Sequence, residues 1–155
     1  AMPKEIDAVA QSGAGVVICP STEGNLGDGF ADLPAWLQAG VPMAIGSDSH
    51  VTRAWPEELR WLEYGQRLLH RQRNVSAAPA AGEPATAARL FGRVSSAGGT
   101  AAGFRRWGLS VGARADLLVV DGDPTQELSM LSDPQRGPLL VMQGGRIYRD
   151  TLQSA

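Results

Sequence analysis

Two short apolar runs, Gly15-Val-Val-Ile-Cys19 and Val41-Pro-Met-Ala-Ile45, constrain this chain more than any other feature. Neither alternates polar with apolar residues, so each reads as a strand buried on both faces. A helix is predicted before each. Pro3–Ser12 has Pro3 in its first turn, Glu5 and Asp7 near its N-terminus, and Gly13 as its stop. Asp32–Ala39 is a shorter helix stopped by Gly40. Each strand ends in small and polar residues: Pro20–Gly29, expected as loop from its glycines, and Gly46-Ser-Asp-Ser-His50. Helix, strand, loop, helix, strand is the rhythm of a parallel α/β sheet or barrel.

The chain then changes character. Pro56–Arg73 is predicted as a long helix with Leu59, Leu62 and Leu69 on one stripe, Trp61 and Leu68 beside it, and Arg67, Arg71 and Arg73 near its end. Ser76–Pro84 is rich in alanine and proline and is expected to be a flexible connection. Thr86–Ser96 is a helix expected to break at Gly98-Gly99. Ala115–Asp121 reads as a strand followed by Gly122 and Pro124. Leu139–Gln143 and Arg146–Arg149 read as a hairpin around Gly144-Gly145. The expected division is residues 1–105 as the α/β part and 106–155 as a small β unit.

Composition bounds the function. At 155 residues, a chain can bury about two-thirds of its unfolded surface. The net charge of −2 and the lack of a basic stripe give no nucleic-acid footprint. No apolar run reaches the roughly 18 residues of a membrane span. No secretory leader is recognisable, and the single cysteine, Cys19, fits a reducing cytoplasm. Ala1-Met2 reads as a cloning remnant followed by an initiator methionine.

Chemistry is expected at the C-terminal ends of the two strands. Asp48 follows the second strand among small neighbours, where a carboxylate can bind a cation or take a proton from a metal-bound water. The competing reading is an Asx turn, which spacing alone favours. Asn25, Asp28, Ser47, Ser49 and His50 are further pocket candidates. Against that, Asn25 and Asp28 suit turns, and a structural role is commoner for a lone histidine such as His50. His70 reads as a solvated residue, Cys19 as a packed thiol without a base, and Trp55, Trp61 and Tyr64 as packing. A catalytic zinc takes about three protein ligands plus water. Two histidines and one cysteine, with no His-x-His and no HExxH, do not complete such a site.

ICPSTEGNLGDG, IGSDSH and EELRWLEYGQRL together resemble the last barrel strands and following helix of the formimidoylglutamate deiminase family. GLSVGARADLLVVDGDP and VMQGGRIYRD resemble the closing β-sandwich strands of the wider amidohydrolase superfamily. The resemblance implies the C-terminal part of a (β/α)8 barrel plus part of a β-sandwich, with Val16–Cys19 as strand seven and Met43–Ile45 as strand eight. Asp48 then matches an aspartate that touches the zinc and accepts a proton from the attacking water. The implied reaction is hydrolysis of N-formimino-L-glutamate to N-formyl-L-glutamate and ammonia, in histidine breakdown. The resemblance places the His-x-His pair, two further histidines and a proton-shuttling glutamate outside this sequence. It therefore implies Zn2+ in the complete enzyme, none held tightly by this chain alone, and no activity alone. Alternatives are completion by a chain carrying the N-terminal part, a different amidohydrolase deaminase, or a non-catalytic module forming oligomers through exposed sheet edges.

Overall fold

The computed structural model describes residues 2–123, 125, 126 and 137–152. Its first half is built around two parallel strands, β1 (Val16–Ile18) and β2 (Met43–Ile45), paired Val16 to Met43, Val17 to Ala44 and Ile18 to Ile45. Both strands therefore deliver their C-terminal ends to one side of the molecule. Helix α1 (Pro3–Ser12) precedes β1 and stops at Gly13, whose φ of +71° few other residues adopt. Helix α3 (Leu33–Gln38) precedes β2, and Asp32 caps it by accepting the Ala35 N–H at 3.1 Å.

Pro20–Gly29 is not loop throughout: Pro20–Leu26 forms helix α2. Pro20 occupies its first turn, and the Glu23 Oε1 atom accepts the Cys19 N–H at 3.0 Å. Gly27, at φ +77°, ends it. Proline at the start with glutamate three residues later was a readable start signal, which the glycine-rich composition obscured.

Helix α4 runs Trp55–His70, and Arg71 turns out of it at φ +53°. Leu59 and Leu62 are buried, but Leu68 and Leu69 are exposed. The buried face continues instead through Glu58 and Glu63, whose carboxylates are hydrogen-bonded by neighbouring segments, and Gln66, whose Nε2 donates to the Ala31 carbonyl while its Oε1 has no partner among the described residues. Trp55 is partly buried against the core, whereas Trp61 and Tyr64 are largely exposed, so only the first is packing as expected.

Ser76–Pro84 is ordered, contrary to the expected flexible connection. Ser76 is fully buried, Pro79–Ala81 make a 3-10 turn, and Ala78 bridges Glu83. Helix α5 (Thr86–Ala101) passes through Gly98-Gly99 without breaking. Gly99 is there for close packing, since a Cβ on it would meet the Trp107 ring at 2.1 Å, whereas a Cβ on Gly98 would meet open space. At Gly99 the tertiary contact offsets the roughly 1 kcal/mol helix penalty of a glycine.

Ile18 and Met43 form the core with Leu33, Trp36, Leu37, Leu59, Leu62, Leu90 and Val94. The C-terminal segment forms an antiparallel sheet, β3 (Leu117–Val119), β4 (Leu140–Gln143) and β5 (Arg146–Asp150), in that order. Gly144 and Gly145, at φ +57° and +79°, make the hairpin turn. The expected Pro124 lies outside the described residues.

Candidate active site

The C-terminal ends of β1 and β2 converge because Gly46 has no side chain. A Cβ there would meet the Cys19 Sγ at 3.1 Å and the Val17 Cγ1 at 3.3 Å. The Gly46 N–H continues the ladder by donating to the Ile18 carbonyl at 3.0 Å. The chain then turns at Ser47–His50, closed by the His50 N–H donating to the Ser47 carbonyl at 2.7 Å.

Asp48 sits in this turn, exposed, with φ +40°, and His50 follows at φ +60°. Such left-handed backbone costs of order 1–3 kcal/mol per residue and persists where surrounding contacts impose it. The imposing contacts come from α2. The Thr22 hydroxyl is 3.1 Å from the Ser47 carbonyl and 3.1 Å from the Ser49 hydroxyl. One hydroxyl proton serves one acceptor, so Thr22 donates to Ser47 and accepts from Ser49.

Beneath α2 lies Glu58, 2% exposed. Its carboxylate accepts the Ser21 N–H at 2.9 Å and the Ser21 hydroxyl at 2.6 Å. The combined field is felt at Cys19. Burial first, then the charges of Asp48, Glu23 and Glu58, push its thiol above the ordinary range, partly offset by a hydrogen bond with the Gly46 backbone. That keeps Cys19 protonated and unreactive near neutrality, in keeping with a packed thiol.

The structure thus brings Ser47, Asp48, Ser49 and His50 together at the strand ends. Asn25 and Asp28 lie exposed towards the far end of α2, and among the described residues neither is hydrogen-bonded to the turn. His70 is exposed at the end of α4. Thr22 and Glu58 were not expected as site residues; nothing local marks them, since their partners lie 25 to 37 residues away. A cavity of about 750 Å3 lies elsewhere, between Trp55, Phe91 and the sheet residues Leu117, Met142 and Tyr148. Its lining includes Asp116 but no residue of the 46–50 turn.

A model of the amidohydrolase family matches residues 1–148. The chain belongs to the amidohydrolase family. Formimidoylglutamate deiminase of Pseudomonas aeruginosa is 42% identical over 150 residues, covering 97% of this chain and 33% of that protein. A 5-methylthioadenosine/S-adenosylhomocysteine deaminase of Halobacterium salinarum is 36% identical over 120 residues, covering 77% of this chain and 26% of that one. Among solved structures, an amidohydrolase from Brucella melitensis superposes with a TM-score of 0.83 at 35% identity, covering 97% of this chain and 34% of that one. An adenosine deaminase from Xanthomonas campestris with bound zinc gives a TM-score of 0.70 at 24% identity, over 97% and 35% of the two chains, which speaks to the fold alone. The chain spans between about a quarter and a third of the length of these relatives. It is an α/β portion of the barrel architecture they share.

Amidohydrolases generally depend on a metal. The donor set of this chain does not fit a complete zinc site: among the described residues no group of three or more His, Cys, Asp or Glu is placed to hold an ion. Asp48 offers one carboxylate, and Glu58 and Glu23 spend theirs on backbone and serine donors. No helix among the described residues is long and apolar enough to cross a membrane.

Proposed function

We propose that this chain is the C-terminal part of a zinc-dependent hydrolase that converts N-formimino-L-glutamate and water to N-formyl-L-glutamate and ammonia. Asp48 is the proton-accepting carboxylate of the site, and residues 106–155 belong to its β-sandwich. The observation that carries the reading is the position of Asp48. It stands in a turn at the joint end of two parallel strands, in a chain 42% identical to a deiminase across 97% of its length.

The chemistry follows from that position. Hydrolysis of an amidine needs a water deprotonated as it adds to the carbon, and a proton delivered to the departing ammonia. An exposed carboxylate on a fixed turn suits the first task. Ser47, Ser49 and His50 surround it with groups able to orient a polar substrate. Asp48 is the one metal-touching carboxylate this chain supplies, and the other metal ligands come from outside this sequence, from a longer chain or a partner. The 155 residues alone are accordingly inactive. The complete enzyme works in the cytoplasm.

The test pairs the chain with the complementary two-thirds of a deiminase relative and measures ammonia release from N-formimino-L-glutamate with zinc. Activity is expected in the pair and absent from the chain alone. Asp48→Asn in the pair is expected to lower kcat by about 100-fold or more. Tight stoichiometric zinc and ammonia release by the chain alone would overturn the incomplete-site reading. The similarity to nucleoside deaminases supports a second reading, another deaminase substrate. Release from 5-methylthioadenosine and not from N-formimino-L-glutamate would favour it.

A further inference from the structure

We propose that Thr22 is the positioning residue for Asp48, and that Glu58 holds Thr22 in place. The inference rests on the reading of Asp48 as the site's proton acceptor. Asp48 makes no hydrogen bond of its own among the described residues, yet its backbone is held at φ +40°. The turn must therefore be fixed through its flanks. Both flanks, the Ser47 carbonyl and the Ser49 hydroxyl, meet one atom, the Thr22 hydroxyl, at 3.1 Å each. Thr22 is 2% exposed, so water does not readily replace it.

The residue before Thr22 is fixed in turn. Ser21 gives both its N–H and its hydroxyl to buried Glu58, which ties the first turn of α2 to α4. A neutral hydroxyl pair would orient Ser21 weakly; a buried carboxylate taking two donors orients it strongly. The result is a chain of contacts, Glu58 to Ser21, along one peptide to Thr22, then to both sides of Asp48. Deleting the Thr22 hydroxyl frees the turn to relax from its left-handed backbone and moves the carboxylate off its aim.

The single cysteine makes this measurable without substrate. Cys19 lies against Gly46 at the start of the turn, and its thiol is raised by burial first and then by the charge of Asp48, ahead of Glu23 and Glu58. The rate of Cys19 alkylation by iodoacetamide, followed against pH in the 155-residue chain, gives its apparent pKa. Asp48→Asn is expected to lower that pKa in the native background and in Thr22→Ser, which keeps the hydroxyl. In Thr22→Val the same substitution is expected to lose its effect, because the carboxylate no longer holds its place. Ser49→Ala, at an exposed site, is expected to lose part of it.

An Asp48→Asn effect of equal size in native, Thr22→Val and Ser49→Ala backgrounds overturns the proposal. So does no effect in the native background. Should Thr22→Val fail to fold, Ser49→Ala decides alone: reduced coupling supports the proposal and undiminished coupling sinks it. The titration does not involve N-formimino-L-glutamate. Undiminished coupling therefore removes Thr22's role and leaves the deiminase reading standing, while failed ammonia release does the reverse.

Discussion

Glu58 and Glu63 lie on the same helix, and each is 2% exposed. Each accepts a serine hydroxyl at 2.6 Å and the same serine's N–H at about 3 Å, from Ser21 and Ser76 respectively. They differ in what else they meet. Glu63 also takes the Val75 N–H at 3.1 Å and an ion pair from Arg67 at 2.8 Å. Among the described residues Glu58 has no cationic partner. The first arrangement is a neutralised clasp that fastens the segment after α4 onto the helix. The second leaves its charge without a counter-ion, and that charge adds to what raises the Cys19 thiol, after burial, Asp48 and Glu23. A buried ion without a counter-charge is held only by its hydrogen bonds, so it is the weaker device for stability. Its hold on Ser21, next to the Thr22 that meets both flanks of the Asp48 turn, is what stability alone does not account for.

The largest expected effect tests the clasp. Glu63→Ala strips acceptors from the Val75 and Ser76 N–H groups and the Ser76 hydroxyl, and leaves Arg67 without its partner. Arg67 is partly exposed and can turn to water, so the loss falls on the donors left without an acceptor, at about 1–3 kcal/mol for each buried one. Urea unfolding of the variant should show it. The apparent pKa of Cys19 should not move, because Glu63 is not among the charges acting on that thiol. A moved thiol would break the contrast between the two glutamates.

Glu58→Ala comes next. Two donors on Ser21 lose a charged acceptor, for about 2–3 kcal/mol. Here the Cys19 thiol is expected to fall in pKa, since one of the charges raising it is gone. A stability loss larger than that of Glu63→Ala, with an unaltered thiol, would reverse the roles assigned to the two residues.

These contacts also explain what could be read from the sequence. β1 and β2 were legible because Val16–Ile18 and Met43–Ile45 are apolar runs with nothing polar between. The hairpin was legible because Gly144-Gly145 can adopt positive φ at both positions. Asp48 was visible as a carboxylate just past a strand. The α2 helix was harder to see: its Pro20 and Glu23 start signal is local but masked by glycine-rich composition, and half of what holds it is remote. Glu58 reaches Ser21 across 37 residues of sequence, and no local pattern encodes that. The same holds for Ser76–Pro84, where a composition typical of linkers is pinned by Glu63 and by Arg89 donating to the Ser76 carbonyl at 2.9 Å. The apolar stripe of α4 misled at Leu69 for the converse reason. Its buried face is completed by Glu63 and Gln66, polar residues that periodicity assigns to solvent.

The smallest effect concerns pH and the net charge that Glu58 leaves behind. Burial, with the neighbouring carboxylates, raises the Cys19 thiol in the folded chain, whereas an unfolded cysteine titrates at about 8.5. The folded state therefore holds the thiol proton more tightly than the unfolded state does. Its contribution to stability is fully present below the unfolded value and is lost as pH rises through the higher folded one. Cys19→Ala removes that dependence. The difference in unfolding free energy between native chain and variant should then be flat below about pH 8 and shift against the native chain above it. In Glu58→Ala the folded thiol is less perturbed, so the same shift should shrink. In Glu63→Ala it should persist in full. If the alkaline shift is equal in both glutamate variants, Glu58's charge does not reach the mouth of the strands.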